Sequence, residues 1–212
     1  MTISYPLTIP AYASGTSGTA GIDSLRFTNI HSVAMLRSPW SFATQTQQHS
    51  GEMFGAEVSI APCNRVQAAP WIAFLASLRG PVGTFYLPVE KVAQTPRGAA
   101  TGTPVVNGSV SSGSETIATK GWSNNITNIL RKGDYIQIGV RLYQILSDHN
   151  TDGSGYTTVD VFPSVREALV DNTPITTSNP KGLFRLDSSE ITTYEADAER
   201  LYSISFTAVE AL

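Results

Sequence analysis

The sequence predicts a mainly β protein: a β-sandwich or split-barrel domain with one packed helix, plus an inserted small β-barrel-like domain. Three observations carry this expectation. Apolar residues alternate in several runs, the period of half-buried strands. A single segment, PWIAFLASLRGP at 70–81, changes to three- and four-residue spacing. Between two similar marks, Pro96-Arg97-Gly98 and Pro180-Lys181-Gly182, the chain adopts the Gly-punctuated pattern of a separate antiparallel unit.

Residues 1–22 are Pro, Thr, Ser and Gly punctuation and read as an extended arm or loop. SLRFTNIHSVAMLR (24–37) alternates at Leu25 and Phe27 and then turns apolar, which predicts a bent or bulged strand. GEMFGAEVSIAP (51–62) is a cleaner strand, with Phe54, Ala56, Val58 and Ile60 on one face. A helix is expected near 64–79: Asn64 is a good N-cap type, Trp71, Phe74, Leu75 and Leu78 form its core face, and Gly80-Pro81 closes it. Pro70 leaves two options, a regular helix starting there or an earlier turn kinked at it. No titratable side chain lies in the apolar stripe, so the helix reads as a plug over a sheet. Thr84 to Leu87 resumes as a strand.

At residue 95 the texture becomes linker-like, TPRGAATGTPVVNGSVSSGSET, and is followed by three strand-like runs, DYIQIG, VRLYQIL and GYTTVDVFP. The tail from 183 ends in a strand with Tyr202, Ile204, Phe206 and Ala208 on one face. At about 30 residues it is too short for a core of its own and must pair elsewhere. The expected arrangement is a discontinuous β-domain, 1–95 and 183–212, with a small antiparallel β-barrel or sandwich inserted at 96–182. A single continuous sandwich is the other arrangement that the pattern allows.

Charged residues make up 15% of the chain, well below the roughly 25% of ordinary soluble domains. A neutral-polar surface suits large protein contacts, because burying hydroxyls and amides costs less than burying charges. Net charge is −3 and the longest cationic cluster is Arg131-Lys132, so a phosphate-tracking groove and sequence-specific nucleic acid binding are not expected. The one cysteine, Cys63, excludes an intrachain disulfide and a thiolate zinc site and reads as a buried structural thiol. No apolar run approaches a membrane span, and the N-terminus lacks the basic start and apolar core of a signal peptide. A soluble protein made in a cytoplasm is expected.

Chemistry is sparse: no enzyme activity, cofactor or metal is expected. His31, His49 and His149 form no short metal-ligand spacing. In DHNTDGSGYTTV, Asp148, Asn150, Asp152 and Gly153 match four positions of a calcium loop, but Val159 stands where the bidentate Glu belongs, so a hairpin turn is expected. GTSGTAG (15–21) lacks the lysine and strand–helix frame of a phosphate cradle. The carboxylates Asp197/Glu199 and Glu190/Glu195 read as a solvated acidic loop, and the sequons at Asn107 and Asn125 as chance. Trp40, Trp122, Phe162, Tyr135 and Tyr143 are either core and interface anchors or a sugar-binding face, in which case Trp122 and Tyr143 would be the stacking platforms. Three function classes therefore stand: a structural ring, a carbohydrate- or host-surface-binding module, and a hydrolase assembled from distant residues.

GEMFGAEVSIAP…WIAFLASLRGPVGTFYLP and TPRGAATGTPVVNG…TKGW…LRKGDYIQIGVRLYQILSD…VFPSVREAL…NPKGLFRL resemble tail-tip proteins of bacteriophages with long, flexible tails. Over about residues 35–206 the chain resembles the distal tail protein family; a tail-tube or other minor tail protein is a near neighbour. The resemblance implies a hexameric ring in the virion tail, assembled in the host cytoplasm, with tail tube and tip or hub proteins as partners. It implies that the discontinuous domain forms the ring, that DNA only transits the lumen, and that an additional β-domain, an OB-like barrel in some members and here 96–182, faces outward. The long C-terminal carbohydrate-binding domain of larger members has no counterpart here, so direct receptor binding is not expected. Interface anchors are expected at Trp40, Phe85 and Tyr86, and on the C-terminal strand at Tyr202 and Phe206.

Overall fold

The computed structural model describes residues 3–12, 19–89, 94–190, 194–196 and 201–212. In chain order these form β1 (Leu7–Thr8), β2 (Ile22–Arg37), β3 (Thr44–Cys63), α1 (Arg65–Leu78) and β4 (Thr84–Pro88). There follow β5 (Gly102–Val106), β6 (Thr116–Trp122), β7 (Tyr135–Ile138), β8 (Arg141–Ile145), β9 (Thr157–Phe162) and β10 (Ile175–Thr176). The chain ends in β11 (Lys181–Leu186), β12 (Glu195–Ala196) and β13 (Tyr202–Glu210). The protein is mainly β with one α-helix, as its periodicities predict.

Two sheets divide the strands. The first runs β1-β4-β11-β13-β3-β2, with β12 on β13, and draws on both ends of the chain. Its alternating residues meet in register, Phe206 opposite Val58 and Ala208 opposite Ala56. These side chains and Phe54 face the core. The second sheet, β10-β7-β8-β9-β6-β5, uses the middle of the chain alone. Its end strands are joined by the Val105–Pro174 bridge and by Val106 N–H donating to the Thr173 carbonyl, which nearly closes a barrel. Six strands build it, the sixth being the two-residue β10, against the five of an OB barrel. β6 lies hidden in the linker-like texture, and Trp122 at its end is buried, with Nε1 donating to Thr119 Oγ1 at 2.8 Å.

α1 resolves the Pro70 ambiguity. Asn64 Oδ1 accepts from Gln67 N at 3.1 Å and Gln67 Oε1 accepts from Asn64 N at 3.3 Å, a capping box that starts the helix at Arg65. The helix then runs through Pro70, whose ring has no N–H to give the Val66 carbonyl. Trp71, Phe74, Leu75 and Leu78 are buried, and Trp71 Nε1 donates to the Ala20 carbonyl at 2.9 Å. Arg79 takes the left-handed cap, with φ 53°, and Gly80-Pro81 begins a short 3-10 turn. A Cβ at Gly83 would lie 2.7 Å from the Leu78 carbonyl oxygen, so only glycine returns the chain to β4 here.

Within the N-terminal punctuation, expected as an extended arm or loop, residues 5–9 are tied to the sheet and helix. Leu7 pairs in parallel with Phe85, Ile9 is buried, and Tyr5 OH donates to the Ser77 carbonyl at 2.7 Å. Leu7 and Ile9 stand two apart between prolines, enough to anchor a two-residue strand beside the helix.

The two sheets share packing. Leu142 and Phe162 of the barrel lie in the first core, with Phe54 and Phe162 edge to face at 5.3 Å.

Candidate assembly surface

β2 and β3 are the two longest strands because they continue beyond the sheet as a two-stranded ribbon. From His31 to Gly51 every residue except Ser38 is exposed, while pairing persists from Val33–Gln48 to Arg37–Thr44. The tip is a built loop. Ser38 N–H donates to the Ala43 carbonyl, Phe42 N–H donates to the Ser38 carbonyl, and Ser38 Oγ accepts from Trp40 N and Ser41 N. Phe42 sits at φ 56° with the Arg37 guanidinium 4.8 Å from its ring centre. This loop displays Trp40 at 92% exposure, beside Leu36 at 73%, Met35 at 70% and Phe42 at 65%. Apart from His49, Arg37 is the only ionisable residue from 32 to 50. An isolated two-stranded hairpin is marginal in water, and contiguous exposed apolar surface marks an interaction site.

The face of the first sheet carrying Glu57 is a polar cleft of about 470 Å³. Asp23, Glu57, Ser59, Glu190, Glu195, Ser203, Ser205 and Thr207 line it, with no lysine or arginine among the lining residues. Arg26 lies 3.9 Å from Glu57, both well exposed. The Glu190/Glu195 carboxylates therefore belong to an acidic, hydroxyl-rich wall. Asp197/Glu199 and most of the GTSGTAG segment fall outside the described residues.

Where the barrel meets the first sheet, charges are buried. Glu210 Oε2 accepts from Arg166 Nη2 at 3.3 Å and from Phe54 N at 3.4 Å. Burial pushes its carboxyl above the usual range, against the opposing pull of Arg166, the Phe54 amide and Arg141. Arg141 donates to Glu167 Oε1 at 2.8 Å and to the Ala211 carbonyl, and Glu52 Oε2 accepts from Ser164 N at 3.0 Å.

One cluster has the composition of a hydrolytic triad. Ser147 Oγ lies 3.2 Å from His149 Nε2 and donates to Asp160 Oδ2. His149 Nε2 also accepts from Asp160 N at 3.2 Å. In a triad the carboxylate orients the ring through the nitrogen opposite the serine. Here serine and aspartate crowd the same nitrogen, so no relay is formed. Burial lowers the His149 pKa, opposed by Asp160 and Asp148, which favours the neutral ring and makes the 4.0 Å approach to Asp160 a polar contact rather than an ion pair.

The calcium-like stretch is spent on its own turns. Asp152 Oδ1 accepts from Ser154 N and Tyr156 N, Asp148 Oδ1 from Lys132 N, and Asn150 Oδ1 from Asn128 N. Among the described residues no group of three or more His, Cys, Asp or Glu is placed to hold a metal. Cys63 is buried, its Sγ 3.8 Å from the Tyr202 carbonyl, and burial pushes the thiol pKa up.

Of the anchors expected from sequence, Trp40 is fully displayed and Tyr86 and Tyr202 are half-buried. Phe85 and Phe206 are corrected: both are buried inside the protomer, packed edge to face at 6.1 Å, because each alternates onto the helix-facing side of its strand. The suggested stacking platforms are corrected too, since Trp122 and Tyr143 are enclosed by the barrel. Phe162 is buried at the junction, and Tyr135 is half-buried beside it. Met35, Leu36 and Phe42 escaped the sequence reading. Their signal was present: an apolar run without alternation, paired against an all-polar TQTQQ, has no core face to offer. Neither a protein-family model nor a curated protein sequence matches the chain.

Proposed function

We propose that this is a non-enzymatic structural protein of a phage tail, forming a ring that joins the tail tube to the tip and lets DNA pass. The observation that carries this reading is the open first sheet: among the described residues β2, 16 residues long, pairs with β3 alone and ends the sheet on one side, and β1 with β4 stands at the other. A long bare edge is a template for pairing with another chain, and a head-to-tail contact that repeats by rotation closes into a ring. The cleft face of Glu57, Ser59, Ser203, Ser205 and Thr207 suits a lumen wall, because its carboxylates repel phosphates and no lysine or arginine lines it to hold them. The barrel then faces outward, toward neighbouring tail proteins. The resemblance noted in the sequence agrees with this reading, whereas the carbohydrate-binding alternative has lost both of its stacking platforms. Negative-stain microscopy with sedimentation analysis of the purified chain is the test. Rings with a central hole are expected; a strict monomer at high concentration, absent from virions by mass spectrometry, would sink the reading.

A further inference from the structure

We infer that the β2–β3 ribbon is a trans arm whose Trp40 tip docks on the outer face of α1 of a second copy; this rests on the ring reading and names its partner surface. The ribbon does not reach that face in its own chain. Its tip lies at the far end of the 20-residue β3, whose other end leads into α1. At about 3.3 Å per residue the two are separated by on the order of 60 Å. A patch at one end of a molecule that fits a surface at the other makes a heterologous contact, the kind that builds rings.

The two surfaces match in chemistry. The outer face of α1 carries Val66, 80% exposed, then exposed Ala69, Ala73 and Ala76, with Val82, 73% exposed, just beyond the helix. Its charged residues are Arg65, at the first position, and exposed Arg79 at the C-cap, with no carboxylate among them. The ribbon tip is equally free of carboxylates, so neither side must desolvate a carboxylate. Val66 also lacks the usual helical donor, because residue 70 is proline. The Trp40 indole N–H is the type of donor that Trp71 already gives to a carbonyl in the core. Trp40 and Phe42 project from the tip, with Met35 and Leu36 on opposite faces of the ribbon below them. Either face with the tip offers on the order of half of one partner's roughly 800 Å² share of a stable interface.

The test uses the full chain. Ser41→Cys keeps Trp40 and places a thiol beside it; Ala73→Cys places one on the helix face; the native Cys63 is buried and silent. A short bismaleimide should cross-link the two variants when mixed, and neither variant when alone. Trp40→Ser should weaken self-association at least about 30-fold, the loss expected of a central aromatic anchor, with an unchanged melting temperature at dilutions where both chains are monomeric. Rings that persist with Trp40→Ser, together with no mixed cross-link, overturn this inference and leave the ring reading standing. A wild-type chain that never associates overturns both.

Discussion

Arg166 Nη2 lies 3.3 Å from Glu210 Oε2, and both side chains are almost wholly withdrawn from water. The pair joins the loop after β9 to the end of β13, so it ties the barrel to the strand that pairs with β3. Such a pair is weak evidence for net stability, but breaking it from one side strands the other charge.

Arg166→Met should therefore destabilise by about 3 kcal/mol at neutral pH, and the loss should depend on pH. Native Glu210 holds its proton to higher pH than the unfolded carboxyl, which titrates near about 4.3. Between that value and the raised native one the native state binds more protons, so stability falls as pH rises. Removing Arg166 takes away an opposing pull and widens the window. Urea midpoints at pH 5 and pH 8 should differ more in the variant than in the wild type. Arg166→Met combined with Glu210→Leu should recover most of the loss.

His149 gives the opposite slope. Its pKa is lowered by burial, so between the native value and the unfolded value of about 6.5 the unfolded chain binds more protons. Stability should fall as pH drops through that window. His149→Gln should flatten the profile between pH 5 and 7, measured as melting temperature against pH. An unchanged slope would mean that another group carries the acid sensitivity.

The helix separates interior from surface within a few residues. Leu75→Ala should cost about 2–5 kcal/mol by leaving a cavity in the first core. Leu75→Asp should unfold the protein, because a buried unpaired carboxylate costs a large part of a typical stability of about 5–15 kcal/mol. Ala73→Asp, on the exposed face, should change the melting temperature little. Urea denaturation of the three variants side by side is the check.

These positions also show what the sequence could express. Trp71, Phe74, Leu75 and Leu78 were legible because a helical stripe advertises its buried side. Phe54, Val58, Ile204 and Ala208 were legible because a one-sided sheet must alternate. Phe206 shares the alternating face of Ile204 and Ala208, so its place in the core was legible and its assignment to an interface went against its own periodicity. Phe85 misled because a five-residue strand carries little mark of which face meets the core. β6 stayed hidden because Thr, Lys and Gly at its centre serve a barrel wall and a loop equally well. The Arg166–Glu210 pair could not be read at all, since nothing in local spacing foretells a meeting across 44 residues. The ribbon was half visible: its strands were there to see, but projection into solvent is a property of what does not pair beside it.

That projection yields the last prediction. His31 and Glu52 are opposite each other in the ladder, so residues 32–51 can be replaced by Asn-Gly, a two-residue turn that matches the twist of a hairpin. None of the removed residues is buried, and Glu52 keeps its bond to Ser164 N. The trimmed chain should melt within a few degrees of the wild type, a difference of about 1 kcal/mol or less for a protein of this size. Its self-association should fall to that of Trp40→Ser or below. Circular dichroism melts and sedimentation velocity on the same samples decide between two roles. A large drop in melting temperature would make the ribbon part of the fold; a monomer that melts normally would make it an arm.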